Sequence, residues 1–291
     1  MPYILKKFKT IKGKKIEDFL ENDVKINKIL ALKLLTKGKI TDQNDKRLQK
    51  SQTLKDGFIK ITLFEAITKN LKPLFETEHF AIFDKPSGLM VHPTLLSKDY
   101  TLLDEIRYQF GKNASLVHRI DKETSGLVLV SKNKYSEMIL KNMFEEKQYI
   151  KKYIAIVRNE IKKELKISTP ITNDTGLIKL KMKVDINGKS SQTLVKPLFY
   201  DEEKNQTLVE VIPLTGRQHQ IRVHLDSINH SIIGDPIYGV DEENADLILR
   251  KKVNEKDRVK LTGNKRLLLQ ANYLEFEYLN VIYKFSSKQY L

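Results

Sequence analysis

The sequence predicts an α+β protein, with a mixed, largely antiparallel sheet flanked by helices and a small α/β domain ahead of it. Three observations predict this. Beyond residue 75, short apolar runs recur between turns with few regular strand–helix alternations, which argues against a doubly wound sheet. Before that point, apolar residues fall at helical spacing and then change to a strand rhythm. Charge divides the same way: residues 1–73 carry 18 basic and 8 acidic side chains, a net of +10 out of +15 for the whole chain. At 291 residues, 40% of them hydrophobic, the chain can hold a small and a larger core. Domains are expected at 1–70 and 75–291, with the seam at ITKNLKPLF (67–75), punctuated by Pro73.

In order along the chain, residues 14–36 (KKIEDFLENDVKINKILALKLLT) predict two short helices interrupted at Asn22 and Asp23. Ile16, Phe19 and Leu20 form one apolar group; Ile26, Ile29, Leu30 and Leu34 form the other. Gly38 ends the helical region, and FIKITLF (58–64) alternates like a strand. This basic helix–helix–strand unit resembles the ribosomal-protein-S-four-like RNA-binding domain, through Lys15-Ile16-Glu17-Asp18-Phe19-Leu20 and Gly38-Lys39-Ile40. The Asn-Gly usual after that strand is replaced by the longer Gln43-Asn44-Asp45-Lys46. A plain packing extension is the other reading of such a bundle.

Further along, HFAIFDKPSG (79–88) predicts a strand ending in a turn. SLVHRI (115–120) and GLVLVS (126–131) predict strands around a polar loop, and YSEMILKNMFEEK (135–147) a helix with Leu140, Met143 and Phe144 on its apolar side. KKYIAIV, SQTLVKPLFY, TLVEVIPL and RLLLQANYLEFEY supply further strands. The absence of cysteine removes disulfides, thiolate metal sites and cysteine catalysis, and the six histidines form no HExxH pair. With no apolar run of membrane-spanning length and no signal-peptide block at MPYILKKFKT, a cytoplasmic protein without metal or cofactor is expected, and a monomer.

Three stretches carry candidate chemistry. His118-Arg119-Ile120-Asp121-Lys122-Glu123-Thr124-Ser125-Gly126 puts Asp121 on a tight loop between two predicted strands, where Thr124 and Ser125 can bond the loop or the carboxylate. By itself DKETSG is simply a good turn. In Leu214–Leu225, Thr215 and Gln218 have capping-box spacing, so a helix is predicted to start there, with Ile221, Leu225 and Ile228 as its buried stripe. Arg222 would lie on the flank of that stripe and aim its guanidinium at a carboxylate, although many such arginines are ordinary surface residues. Lys151-Lys152-Tyr153 sets a phenol beside two cations on a strand.

Taken in order, these stretches resemble the RluA-like family of pseudouridine synthases, with its His-Arg-Leu-Asp-x-x-Thr-Ser-Gly, Lys-x-Tyr-x-Ala and Thr-Gly-Arg-x-His-Gln-Ile/Leu-Arg-Val-His motifs. The match extends to Asp84-Lys85-Pro86-Ser87-Gly88, to Val91-His92-Pro93 and to Gly234-Asp235-Pro236-x-Tyr238-Gly239, so that it covers roughly residues 75–276. Ile120 replaces the commoner Leu, and Gln270 stands where the family usually has His, which puts one local contact in doubt.

The resemblance implies the pseudouridine synthase fold and isomerisation of uridine in RNA, without cofactor or metal. It implies that Asp121 is the essential carboxylate, that Arg222 pairs with it and keeps it ionised, and that Tyr153 stacks on the target base. Arg119, His118, Arg217, Lys151 and, in the basic domain, Lys15 are the expected RNA contacts. Arg119 would fill the space left by the flipped uridine. Large-subunit ribosomal RNA is the favoured substrate and transfer RNA the alternative. A non-catalytic ribosome-assembly factor would not need Asp121, Tyr153 and Arg222 together, and a nucleoside hydrolase would need clustered carboxylates or a metal.

Overall fold

The computed structural model describes residues 3–64, 67–93, 99–289 and 291. The chain divides into two compact units: Met1–Lys69 with Pro93–Tyr108, and Asn70–His92 with Gln109–Leu291. No helix among the described residues is long and apolar enough to cross a membrane.

The first unit contains β1 (Tyr3–Lys9), α1 (Ile16–Asn22), α2 (Lys28–Thr36), β2 (Ile40–Asp42) and β3 (Phe58–Phe64). Its sheet is antiparallel, in the order β1-β3-β2. Ile16, Phe19 and Leu20 are buried by α1 as their spacing predicts. Asn27 caps α2 by accepting from the Leu30 N–H at 2.8 Å. The stripe of α2 is displaced from its predicted place. Ala31, Leu34 and Leu35 are buried, whereas Ile29 is 81% and Leu30 41% exposed. A helix starting at residue 28 turns those first-turn side chains away from the sheet, and small Ala31 takes the inner position. β1 has no signal in the sequence reading, because Tyr3-Ile4-Leu5-Lys6-Lys7-Phe8-Lys9 does not alternate. Its lysines suit an edge strand. Within the same unit Glu105 is fully buried and accepts from Thr68 Oγ1 at 2.6 Å, from the Lys69 N–H at 2.8 Å and from the Tyr100 hydroxyl.

After β4 (Phe75–Glu76) and β5 (Phe80–Lys85), α3 (Leu102–Phe110) begins with Thr101 donating through both its N–H and its hydroxyl to Asp104 Oδ2 at 2.8 Å. α3 up to Tyr108 belongs to the first unit, whereas β4 and β5 belong to the second, which continues through β6 (Ser115–Leu116), β7 (Ser125–Ser131), α4 (Lys134–Glu145), β8 (Tyr149–Arg158), β9 (Leu165–Ile167), β10 (Ile171–Asn173), β11 (Met182–Val184), β12 (Thr193–Asp201) and β13 (Gln206–Pro213). It closes with α5 (Gln220–Ser227), α6 (Glu242–Leu249), α7 (Glu255–Thr262), β14 (Leu269–Tyr278) and β15 (Val281–Ser286). Ten of these strands form one sheet in the order β4-β5-β7-β14-β8-β13-β12-β9, with β15 on β14 and β6 on β7. Its pairings are antiparallel except for β7 with β14. The fold is therefore mixed α+β and largely antiparallel.

β7 is buried along its whole length, as a continuous apolar run at the centre of a sheet must be. Phe80, Ile82, Leu127, Leu129, Leu274 and Phe276 pack with Leu140 and Met143 of α4. An Asn133–Ser136 capping box starts that helix.

Two details of the centre place the site. First, the segment predicted as strand 115–120 pairs only at Ser115–Leu116. At 3.1 Å the His118 ring nitrogen Nε2 accepts the Leu129 N–H, so a side chain takes the place of a ladder carbonyl and the backbone turns off toward Asp121. Second, Ala271 of β14 sits opposite both Gly126 of β7 and Tyr153 of β8. Gly126 has φ +107°, and a Cβ there would meet the Ala271 carbonyl oxygen at 2.3 Å. Gly126→Ala should therefore lower stability by about 3 kcal/mol or more, read as a fall in denaturation midpoint. A midpoint within experimental error of the parent would contradict this close approach.

Candidate active site

The loop 117–124 is held from two sides before it presents Asp121. From the last position of β5, Lys85 Nζ donates to the carbonyls of Pro86 (2.9 Å) and Lys122 (3.1 Å). Ser87 Oγ donates to the Glu123 carbonyl at 2.6 Å, and the Gly88 N–H to the Lys122 carbonyl at 2.9 Å. From α7, Arg258 Nη2 reaches Glu123 Oε2 at 3.2 Å. Lys85 is fully buried; burial pulls its amine down to about 7, while Glu123 and Asp121 oppose that shift. The Ser125 hydroxyl points at the Leu269 carbonyl at 3.5 Å, not at Asp121.

On the opposite side stands α5, and it starts later than Thr215 and Gln218 suggest. Its first residue is Gln220, and its N-cap is His219 in the left-handed region at φ 54°. Thr215 Oγ1 donates to Gln220 Oε1 at 2.7 Å and accepts the Gln192 N–H at 2.9 Å. Gln220 Oε1 also accepts the Arg217 N–H at 3.0 Å, and its amide donates to the Gln192 carbonyl at 2.8 Å. The glutamine that ties down Thr215 is thus Gln220, and residues 214–219 form a turn ahead of the helix. Ile221 and Leu225 are buried as expected, joined by Val223, whereas Ile228 is the C-cap and only half-buried.

Arg222 is 2% exposed and lies between two carboxylates. Its Nε and Nη2 each meet Asp235 at 2.7 Å in a bidentate fork, and Nη1 reaches Asp121 Oδ2 at 3.2 Å. Burial opposes the charge of this guanidinium, but Asp235 first and Asp121 after it outweigh that, and its pKa is raised. Asp235 is itself 1% exposed, and its Oδ1 also accepts the N–H groups of Ile237 (2.9 Å) and Tyr238 (3.0 Å). Within the pair, Arg222 spends its nitrogen fork on Asp235 and one further nitrogen on Asp121, which stays 28% exposed.

Asp121, Tyr153, Arg222, Arg119, Arg217 and Lys151 all line one open cleft of about 590 Å³. Tyr153 is 7% exposed and receives Lys151 Nζ over its ring at 5.3 Å from the centroid. Burial works against the Lys151 cation, yet the phenols of Tyr153 and Tyr149 and the Asp121 carboxylate push its pKa up.

Two predicted contacts lie elsewhere. His118 faces inward: its ring stacks on Phe144 (4.7 Å between centroids, 10° apart), and Nε2 is occupied by the Leu129 N–H. Burial, helped by the Lys151 cation, holds its pKa well below the ordinary value. Lys15, exposed at the N-cap of α1, belongs to the other unit.

The sequence reading assigned no site role to Lys85, Asp235, His219 or Tyr238. Asp235 did leave a signal, since a lone carboxylate within Ile232-Ile233-Gly234-Asp235-Pro236-Ile237 must be buried and therefore paired. Gln270 fills its unusual position by donating to Ser287 Oγ (2.6 Å) and the Gln289 carbonyl (2.9 Å), and Ser287 Oγ in turn reaches Asp84 at 2.9 Å.

A mixed sheet with one carboxylate set among Arg119, Lys151, Arg217 and Arg222 defines a domain that handles a polyanion. Residues 79–227 match the RNA pseudouridylate synthase family. An uncharacterized RNA pseudouridine synthase of Helicobacter pylori is 37% identical over 290 residues, 99% of this chain and 94% of that protein. Ribosomal large subunit pseudouridine synthase C of Vibrio parahaemolyticus is 33% identical over 78% of this chain and 77% of its own length. Among solved structures, human RNA pseudouridylate synthase domain containing 1 shares the fold, with a TM-score of 0.61 over 76% of this chain and 84% of that one at 24% identity. The chain belongs to the RNA pseudouridylate synthase family and is an isomerase that makes pseudouridine in RNA.

Asp235→Ala should cost about 3–5 kcal/mol, because it strands the buried Arg222 charge. Chemical denaturation reads this, and a cost below about 1 kcal/mol would show that Arg222 does not depend on Asp235.

Proposed function

We propose that the substrate is large-subunit ribosomal RNA and that Asp121 is the carboxylate that carries the isomerisation. The observation that bears most weight is the pairing of Asp121 with the buried Arg222 in a cleft shared with Tyr153. Two relatives described as ribosomal large subunit pseudouridine synthases D, and one described as C, support the ribosomal target.

The chemistry conserves atoms. The bond from ribose C1′ to uracil N1 breaks, the ring turns, C5 joins C1′, and the proton leaving C5 is balanced by one taken up at N1. A carboxylate serves this in either of two ways. It can attack C1′ and be displaced again, or it can take the C2′ proton and return it. Asp121 suits both, being anchored through Oδ2 by Arg222 while its side chain stays 28% exposed to the cleft. In this scheme Tyr153 stacks on the uracil, and its phenol is in reach of the C5 proton at the last step. Lys151 and Arg217 hold flanking phosphates. Arg119, exposed beside Asp121, fills the stack from which the uridine is extruded.

We further infer that residues 1–70 act as a ribosomal-protein-S-four-like RNA-binding domain whose lysines, Lys15 among them, supply salt-dependent affinity. Lys15→Ala should weaken RNA binding roughly 2- to 3-fold and flatten the plot of log affinity against log salt by about one unit. Unchanged affinity and slope would remove Lys15 from the interface.

Pseudouridine mapping across total RNA, in cells lacking the protein and complemented with wild type or Asp121→Asn, tests the main assignment. The lost sites should lie in large-subunit ribosomal RNA and return only with wild type. Sites in transfer RNA would redirect the substrate, and restoration by Asp121→Asn would exclude Asp121.

A further inference from the structure

His219 lines the same cleft and takes no part in the scheme above. A non-glycine residue at φ 54° needs to be held there, and the holding group is Tyr238. The two rings meet edge to face (5.8 Å, 89°), and His219 Nδ1 lies 3.1 Å from Tyr238 Oη. On its other side, His219 Nε2 lies 3.9 Å from Asp121 Oδ2.

Hydrogen-bond accounting selects the tautomer. Tyr238 is 2% exposed, and its oxygen already accepts the Met182 N–H at 2.9 Å. If Nδ1 carried the proton, the phenol would accept twice and its own buried hydrogen would lack a partner, which is costly. With Nδ1 as acceptor, every group is satisfied: Met182 N–H to Tyr238 Oη, Tyr238 O–H to His219 Nδ1. The remaining proton then sits on Nε2, facing Asp121. Burial, reinforced by the Arg222 guanidinium and opposed by Asp121 and Asp235, lowers the imidazole pKa to about 4, so the ring is a neutral donor at ordinary pH.

Arg222 Nη1 and His219 Nε2 both address Oδ2 of Asp121, and among the described residues Oδ1 receives no hydrogen bond from the protein. We propose that His219 is a positioning residue for the isomerisation: fixed as the Nε2–H tautomer by Tyr238, it closes on Asp121 Oδ2 when RNA is bound and leaves Oδ1 as the oxygen that meets the ribose. This rests on the reading that Asp121 is the reacting carboxylate. The gap of 3.9 Å is longer than a hydrogen bond, and a small rotation of the aspartate, whose other oxygen receives no hydrogen bond from the described residues, closes it.

Two measurements test it. Two-bond ¹⁵N–¹H correlation spectra of labelled wild-type enzyme, with His219 assigned by the signal lost in His219→Gln, should show the proton on Nε2, and Tyr238→Phe should give a mixture of tautomers. A proton on Nδ1 in wild type overturns the proposal without reference to any variant's folding. In single-turnover assays, His219→Ala should slow isomerisation roughly 10- to 100-fold at saturating enzyme while RNA affinity stays within about 2-fold, and His219→Gln, which keeps an N–H at that end, should recover part of the rate. A wild-type rate in His219→Ala, or a loss confined to RNA affinity, overturns it. Asp121→Asn separates the two levels: an active Asp121→Asn removes the reading on which the proposal rests, whereas an inactive one beside a fully active His219→Ala removes the proposal alone.

Discussion

The cleft depends on one buried ion pair. Arg222 and Asp235 are each almost fully enclosed, and neither charge would be tolerated in that position without the other. Two nitrogens of the guanidinium are consumed by Asp235, whose Oδ1 is further held by the backbone N–H groups of Ile237 and Tyr238. What remains is a single N–H pair aimed out of the core at Asp121. Removing solvent from that pair strengthens its field at the exposed carboxylate, and the fork prevents it from swinging. Asp121 thereby meets a fixed positive partner without being buried itself.

The sheet places the other half of the site. Because β14 inserts between β7 and β8, Ala271 becomes the shared neighbour of Gly126 and Tyr153. The exit of the Asp121 loop and the phenol are therefore held at one level across the sheet by backbone hydrogen bonds. The loop is clamped independently through Lys85, Ser87 and Gly88 on one flank and Arg258 on the other. Mobility at such a point would blur the geometry of the Asp121–Arg222 pair. Around this rigid centre, Arg119, Lys151 and Arg217 make the cleft wall cationic, which suits a chain of phosphates passing over it.

Much of this was legible beforehand, and the exceptions share a cause. The positions of β3, β5, β7, β8, β12, β13 and β14 follow from runs of apolar residues, and α1 and α4 from helical spacing, since both signals are local. β1 went unseen because a lysine-rich edge strand need not alternate. The start of α5 was misplaced because Thr215 has two glutamines within reach, and only the packing of Gln192 against Gln220 decides between them. Ile29 and Leu30 fit a helical stripe by spacing, yet the sheet of the first unit meets the helix on its Ala31, Leu34 and Leu35 side.

By its own sequence this chain determined the identity of the groups that line its cleft: a carboxylate on a tight turn, a phenol beside two lysines, and an arginine on the flank of a helix. Those are covalent facts with local signatures. Tertiary structure alone decided how they are used. It turned His118 inward to cap the Leu129 N–H, made Asp235 the anchor of Arg222, and set His219 and Tyr238 behind Asp121, with partners between 11 and 101 residues apart in sequence. The reason is physical: hydrogen-bond satisfaction and charge pairing in a low-dielectric interior depend on which groups folding brings together, and spacing along the chain does not encode that.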